Sequence, residues 1–131
     1  MTPIQHDVLV VDDSAVMRAM LIRVLRVSGL PIGTVYEAGD GQSALALLAA
    51  HPVDLALVDI NMPVMTGDEL LDRIRADERT RRLPVVIVST ERSDTRIESF
   101  ERRGAAYIHK PFTPEQIRAA ASRAMGDVAH V

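Results

Sequence analysis

The sequence lacks cysteine, and it lacks any long apolar run. Without cysteine, neither a disulfide framework nor a thiolate metal site can form, which is compatible with the reducing cytoplasm. No apolar stretch approaches the roughly 20 residues needed to span a bilayer. The amino terminus, MTPIQHDVLVVDD, has no positively charged leader before its short apolar run. These absences predict a soluble, cytoplasmic protein with no signal peptide and no membrane insertion.

A strong excess of either charge is also absent. Fifteen basic residues stand against 18 acidic ones, for a formal charge of -3 and a pI near 5.8, and the two signs are interspersed. Such a balance gives no global attraction to nucleic acid or to an anionic membrane, so direct nucleic-acid binding is not expected. With 131 residues, 47% of them hydrophobic, the sequence predicts one domain over 1–131 with its core at about 6–126.

Short apolar segments alternate with helical patterns along the chain. Continuous rather than alternating hydrophobicity is typical of parallel strands that are covered on both faces, and the second segment, the weakest, is expected at an edge of the sheet. The alternation predicts an α/β domain with a doubly wound parallel sheet, whose ligands bind beyond the carboxyl ends of the strands. The five predicted strands are Val8–Val11, Thr34–Ala38, Leu55–Val58, Val85–Val88 and Ala105–Ile108.

The last two predicted helices differ in how well their sequences specify them. The fifth begins with Thr113 as N-cap, Pro114 at its first position and Gln116 completing a capping box. The fourth, around Asp94 to Arg103, has only two strong apolar anchors among charged neighbours. We therefore expect tertiary contacts to hold the fourth helix lightly and regard it as a candidate mobile element.

Polar side chains stand at or just beyond the ends of four of the predicted strands and should meet at one edge of the sheet. Three carboxylates in one crevice repel each other unless a cation joins them, and an oxygen-only ligand set favours a hard ion such as Mg²⁺. The polar residues are Asp12 and Asp13 after VLVV, Asp59 after LALV, Ser89 after VVIV and Lys110 after AYIH.

These residues also suit one reaction. A carboxylate such as Asp59 can act as a nucleophile toward phosphorus, with Lys110 and the Ser89 hydroxyl binding phosphoryl oxygens and Asp12 and Asp13 holding the metal. Taken singly, each has a plainer interpretation. The aspartates could be turn or N-cap residues, the lysine a solvated surface residue and the serine an ordinary strand end. Only the combination favours the chemical site.

Four motifs in order, VLVVDDS, LVDINMPVMTG, VVIVST and YIHKPF, resemble the response-regulator receiver family over nearly the whole chain. The resemblance implies a flavodoxin-like (CheY-like) (βα)5 domain whose five parallel strands have the order 2-1-3-4-5. It also implies Asp59 as the phosphoacceptor, Asp13 as a direct metal ligand, Asp12 as a ligand directly or through water, and the backbone carbonyl of Asn61 as a further Mg²⁺ ligand. The Lys110–Pro111 bond resembles the family's cis peptide.

The resemblance further implies a switch. Tyr107 occupies the switch aromatic position, although an ordinary half-buried strand tyrosine would look the same. The switch hydroxyl is assigned to Ser89 by its distance from Asp59, while a slipped register would give it to Thr90. Residues at the positions of Asn61, Thr90 and Glu91 influence dephosphorylation in the family. The output surface is expected on the fourth helix, fifth strand and fifth helix.

The predicted function is that of a two-component receiver, a signalling module that catalyses its own phosphorylation and dephosphorylation. The implied partners are a sensor histidine kinase or phosphotransfer protein and a downstream protein target. A stand-alone chemotaxis-type receiver fits best, while a fragment of a longer regulator with a missing effector domain would look the same.

Two rival classes fit less well. Phosphohydrolases of the haloacid dehalogenase type place a second aspartate two residues after the nucleophile of the first strand, whereas here the two aspartates are adjacent. A flavodoxin-like electron carrier would need a Ser/Thr-rich phosphate loop after the first strand. It would also need aromatic rings for the flavin, and only four aromatic residues are present.

Overall fold

The computed structural model describes residues 4–62 and 64–126. Within these ranges, strands and helices alternate strictly from β1 to α5, as the hydrophobic pattern predicts. The strands are β1 (His6–Val11), β2 (Ile32–Ala38), β3 (Leu55–Asp59), β4 (Val85–Ser89) and β5 (Ala106–His109). The helices are α1 (Ala15–Arg26), α2 (Gly41–Ala50), α3 (Gly67–Ala76), α4 (Asp94–Arg102) and α5 (Pro114–Ala124).

All strand pairs are parallel, and the strand order is β2-β1-β3-β4-β5. This confirms the expected order and the edge position of β2. The chain enters β2 at Ile32, two residues earlier than predicted, because Ile32 is itself buried and pairs with His6. It enters β5 at Ala106, one residue later than predicted. The register aligns Asp59 with Val88 and Ser89 with His109, so the polar strand ends fall at one edge.

Both faces of the sheet are covered, and every residue of β3 and β4 is buried. One face packs against α1 and α5 through Leu21, Leu25 and Ile117. The opposite face packs against α2, α3 and α4, where Phe100 is the largest fully buried side chain. Burial on both faces explains why these strands are continuously apolar.

Local signals fix where the helices begin. In α5, the Thr113 hydroxyl accepts the amide of Gln116 and the Gln116 side chain accepts the amide of Thr113, which confirms the predicted capping box. Thr66 and Glu69 form a second capping box at α3, at the carboxyl edge of the sheet. Among the described residues, no helix combines the length and the apolar character that crossing a membrane requires.

Candidate metal centre

An acidic cluster lies at the carboxyl edge of the sheet, between the ends of β1 and β3. One carboxylate oxygen from each of Asp12, Asp13 and Asp59 lies within 4.8 Å of the others. Asp12 and Asp59 are buried, whereas Asp13 is exposed. The neighbouring strands β1 and β3 bring these residues together because both end at this edge. The strand-end pattern of the sequence predicts this placement.

The two oxygens of Asp12 have different environments. Oδ1 accepts a hydrogen bond from the amide of Ser14 at 2.9 Å, as expected for a turn residue that precedes a helix. Oδ2 is buried without a hydrogen-bond partner. Burial raises the pKa of Asp12 above its ordinary value, and the Asp59 carboxylate raises it further, against the lowering effects of the Ser14 amide and Lys110. The turn interpretation therefore explains one oxygen, and the other is oriented for a cation.

Lys110 supplies one positive charge to this cluster. Its Nζ atom lies 3.4 Å from Oδ1 of Asp59 and 3.7 Å from Oδ2 of Asp12. The Lys110 amide donates to the carbonyl of Ser89 at 2.8 Å, which ties the end of β5 to β4, and the Lys110–Pro111 peptide bond is cis. A single ammonium beside three carboxylates leaves negative charge that a divalent cation could balance.

The loop after Asp59 is pinned by close packing. A Cβ atom at Gly67 would lie 2.7 Å from the carbonyl oxygen of Asp59, so glycine is needed for α3 to approach β3. The Gly67 amide donates to the Ile60 carbonyl at 3.0 Å. Met62 and Met65 are buried loop anchors, while Asn61 between β3 and these anchors is exposed. The packing leaves Asn61 accessible beside the acidic cluster.

The end of β4 carries the predicted switch residues. Ser89 is fully buried, and its Oγ accepts the amide of Glu91 at 3.0 Å, whereas Thr90 is exposed. The Tyr107 hydroxyl donates to the carbonyl of Ser89 at 3.3 Å and also to that of Glu91. Burial raises the pKa of Tyr107. Tyr107 is therefore bonded to the β4–α4 connection, and its ring stacks on Phe100 with 6.1 Å between centroids.

Sequence reasoning missed a set of ionic contacts between α3 and α4. Arg103 donates to Asp68 at 2.7 Å and to Asp72 at 2.9 Å, and Arg96 also binds Asp68. Together with the buried Phe100, these contacts join both ends of α4 to the neighbouring elements. The paired residues lie about 30 positions apart in the sequence, so no helical spacing rule could have identified them.

Comparison with known proteins identifies the family. Residues 8–122 match the response regulator receiver domain, so the chain belongs to the response regulator receiver family. It is 39% identical over 112 residues to the chemotaxis protein CheY of Pseudomonas aeruginosa, covering 85% of this chain and 89% of that protein. It is 38% identical over 120 residues to the two-component response regulator ORR5 of Oryza sativa, covering 90% of this chain and 87% of that protein.

The fold agrees with solved receivers. The chemotaxis response regulator CheY4 of Vibrio cholerae superposes with a TM-score of 0.80 at 33% identity, covering 92% of this chain and 99% of that one. The chain is thus a two-component receiver of the CheY-like type, and the members of this family are signalling modules.

Proposed function

We propose that this receiver accepts a phosphoryl group on Asp59 from a phosphohistidine and thereby changes its affinity for a partner protein. The observation that carries the proposal is a cluster of three carboxylates, with oxygens within 4.8 Å of one another, together with an ammonium 3.4 Å from Asp59. Asp59 lies at the end of β3, beside Lys110, and the exposed Asn61 follows two residues later in the chain. The donor would be a sensor histidine kinase or a phosphotransfer protein.

The chemistry is a phosphoryl transfer between two nucleophiles. An oxygen of the Asp59 carboxylate forms a bond to phosphorus while the bond from phosphorus to the donor imidazole nitrogen breaks, and the electron pair leaves with that nitrogen. Lys110 binds a phosphoryl oxygen as a point charge, and the buried Ser89 hydroxyl donates to another. The burial of Ser89 and the exposure of Thr90 support Ser89 as the switch hydroxyl.

Mg²⁺ fits the residues of the acidic cluster. The unpartnered Oδ2 of Asp12, together with carboxylate oxygens of Asp13 and Asp59 and the backbone carbonyl of Asn61, offers the hard oxygen ligands that this ion prefers. When bound, Mg²⁺ would neutralise charge on the transferring phosphoryl group. Asn61, Thr90 and Glu91 follow Asp59 and Ser89 closely in the chain and would influence how long the phosphoryl group survives.

The output would pass through the β4–α4 connection. Phosphorylation that draws the Ser89 hydroxyl toward Asp59 must change the segment to which Tyr107 is hydrogen-bonded. Because the Tyr107 ring stacks on Phe100 of α4, such a change reaches the surface formed by α4, β5 and α5. A downstream protein binding there would sense the phosphorylation state. The identity to chemotaxis proteins supports a chemotaxis-type role for this chain.

Intact-mass spectrometry after incubation with acetyl phosphate tests the proposal. Wild type should gain one phosphoryl group in the presence of Mg²⁺ and little in EDTA, and Asp59→Asn should gain none. Asp54→Asn is the matched control, since Asp54 is an exposed aspartate immediately before the same strand, at the edge of the sheet opposite to Asp59. Rapid turnover of acetyl phosphate without an adduct would instead indicate a phosphohydrolase, and an adduct on Asp59→Asn would exclude Asp59 as the acceptor.

A further inference from the structure

Glu91 connects the pocket to α4. Its amide donates to the Oγ of Ser89 at 3.0 Å, so its backbone lies at the pocket. Its carboxylate, however, turns toward the start of α4. Oε2 accepts the amides of Arg92 and Ser93, each at 3.2 Å, and Oε1 lies 3.3 Å from Nε of Arg96. The carboxylate is therefore held at the start of α4, whereas the backbone amide of the same residue binds the Ser89 hydroxyl.

Arg96 is the cation that holds this carboxylate. Its Nη2 atom also lies 2.5 Å from Oδ2 of Asp68 at the start of α3, and its guanidinium stands 5.7 Å from the centroid of the Phe100 ring. Two acceptors and one aromatic face fix the orientation of the guanidinium, although 46% of the Arg96 side chain is exposed. A well-oriented guanidinium can fix the direction of the Glu91 carboxylate in turn.

We propose that Arg96 is a positioning residue that holds the Glu91 carboxylate away from the Asp59 pocket and so prolongs the life of the phosphorylated state. This inference rests on the proposed phosphorylation of Asp59 and extends it to the regulation of the same site. Arg96 acts through Glu91 and does not itself contact the reacting atoms. No local sequence pattern marks it, because its partners lie in the β4–α4 connection and in α3.

Hydrolysis of the aspartyl phosphate ends the phosphorylated state. The oxygen of a water molecule forms a bond to phosphorus, the bond between phosphorus and the Asp59 oxygen breaks, and the carboxylate leaves with the electron pair. The water must also lose a proton, which a nearby carboxylate can accept or orient. A Glu91 carboxylate released from Arg96 could reach such a water. Held on α4, it cannot, and the phosphoryl group survives longer.

The experiment measures the half-life of the phosphoryl group on Asp59 by mass spectrometry after removal of acetyl phosphate. Arg96→Gln should shorten the half-life about twofold to fivefold, the range by which exposed ion pairs shift equilibria. Arg96→Lys should restore most of the half-life because it keeps the charge. In a Glu91→Gln background, Arg96→Gln should change nothing further. About 0.5 M NaCl should reduce the difference between wild type and Arg96→Gln by screening the pair.

Two control variants separate positioning from general loosening of α4. Asp72→Asn weakens the ion pair between Arg103 and α3 but leaves every contact of Arg96 in place, so its half-life should equal that of wild type. Arg102→Gln removes an exposed arginine from the last turn of the same helix and should leave the half-life unchanged. Equal shortening in Arg96→Gln and Asp72→Asn, or persistence of the Arg96 effect in Glu91→Gln, would overturn the inference.

The failure of the proposed function gives a different result. If no variant, wild type included, gains a phosphoryl group, both the proposed function and this inference are wrong. If wild type gains the group and Arg96→Gln loses it at the wild-type rate, phosphorylation of Asp59 stands and only the role of Arg96 is wrong.

Discussion

The acidic pocket and the arginine contacts of α3 and α4 are both rich in charge, but they use it in opposite ways. In the pocket, three carboxylates lie close together, one ammonium contacts two of them, and the buried Oδ2 of Asp12 has no hydrogen-bond partner. Around α3 and α4, Arg75, Arg96 and Arg103 donate to carboxylates and carbonyls within the fold. We call the three arginines with Asp68 and Asp72 the arginine network.

The charges of the arginine network stabilise the fold, whereas those of the acidic pocket are available for reaction. Hydrogen-bonded arginines satisfy acceptors that would otherwise be unpaired, and removing one leaves those acceptors exposed or orphaned. Converging carboxylates repel one another and are costly unless a cation binds. The arginine network should therefore lose stability when it is altered, whereas the acidic pocket should gain stability when a carboxylate is neutralised.

Without Mg²⁺, replacement of Arg75 is expected to have the largest effect of any of these substitutions on the free energy of unfolding. Its guanidinium donates to the carbonyls of Arg103 and Leu83, both at 2.7 Å, and to those of Arg81 at 3.2 Å and Gly104 at 3.4 Å. It thus ties the segments that precede β4 and β5. Burial lowers the pKa of Arg75, yet arginine stays charged. Arg75→Met keeps the apolar stem and should reduce the free energy of unfolding by about 2 kcal/mol in urea denaturation.

Arg73→Met is the matched control for this prediction, because Arg73 is an exposed arginine in the last turns of the same helix. Its effect should stay within about 0.5 kcal/mol. Similar losses in the two variants would show that the carbonyl contacts of Arg75 contribute little. The contrast between the arginine network and the acidic pocket would then disappear.

Neutralisation of Asp12 should have the opposite sign. In EDTA, Asp12→Asn should raise the free energy of unfolding by about 1 kcal/mol, because it removes a buried carboxylate while keeping an acceptor for the Ser14 amide. In the folded state the pKa of Asp12 is raised above its ordinary value of 3.8. Ionisation of Asp12 therefore destabilises the fold only at pH values above about 4. The advantage of Asp12→Asn should therefore be full near neutral pH and should vanish as the pH falls below about 4.

Saturating Mg²⁺ should reverse the order of these two proteins. Ligand binding to the folded state alone stabilises wild type by about 2.7 kcal/mol at a concentration 100 times the dissociation constant. Asp12→Asn should gain less, and Asp13→Asn should lose most of the shift in melting temperature. Asp54→Asn, outside the pocket, should respond to Mg²⁺ as wild type does. A melting curve of wild type that does not change with Mg²⁺ would contradict the metal site.

Much of the fold is readable from the sequence because it depends on local patterns. Continuous apolar segments predict parallel strands, and the Thr113 capping box predicts the start of α5, as the structure confirms. The parallel arrangement then implies that residues such as Asp12 and Asp59 share one edge of the sheet. This inference needs only strand direction, so it locates the candidate site without any knowledge of distances.

Other features depend on tertiary geometry and have no local pattern. The pairing of Arg96 with Asp68 joins two helices that are separated by β4, and the sequence shows only a charged helix face. The same is true of Arg75, whose acceptors are backbone carbonyls of any residue type. The unpartnered oxygen of Asp12 follows from which of its two oxygens the Ser14 amide occupies. Such facts require the structure because they depend on side-chain orientation.

Replacement of Val64, in the loop after β3, is expected to have the smallest effect on the free energy of unfolding, and it acts through the backbone instead of through charge. It has φ of 67° and a side chain that is 93% exposed. A β-branched residue is strained in this left-handed region, and so little of its side chain is buried that packing contributes little in return. Val64→Gly should therefore raise the free energy of unfolding by about 0.5 to 1 kcal/mol.

Val16, also exposed but in the first turn of α1, is the matched control, since Val16→Gly should lower the same quantity by about 0.5 kcal/mol. If the two substitutions change the free energy of unfolding in opposite directions, the backbone of this loop destabilises the fold, as the neighbouring carboxylates do. If both lower it, only the charges of the acidic pocket destabilise the fold.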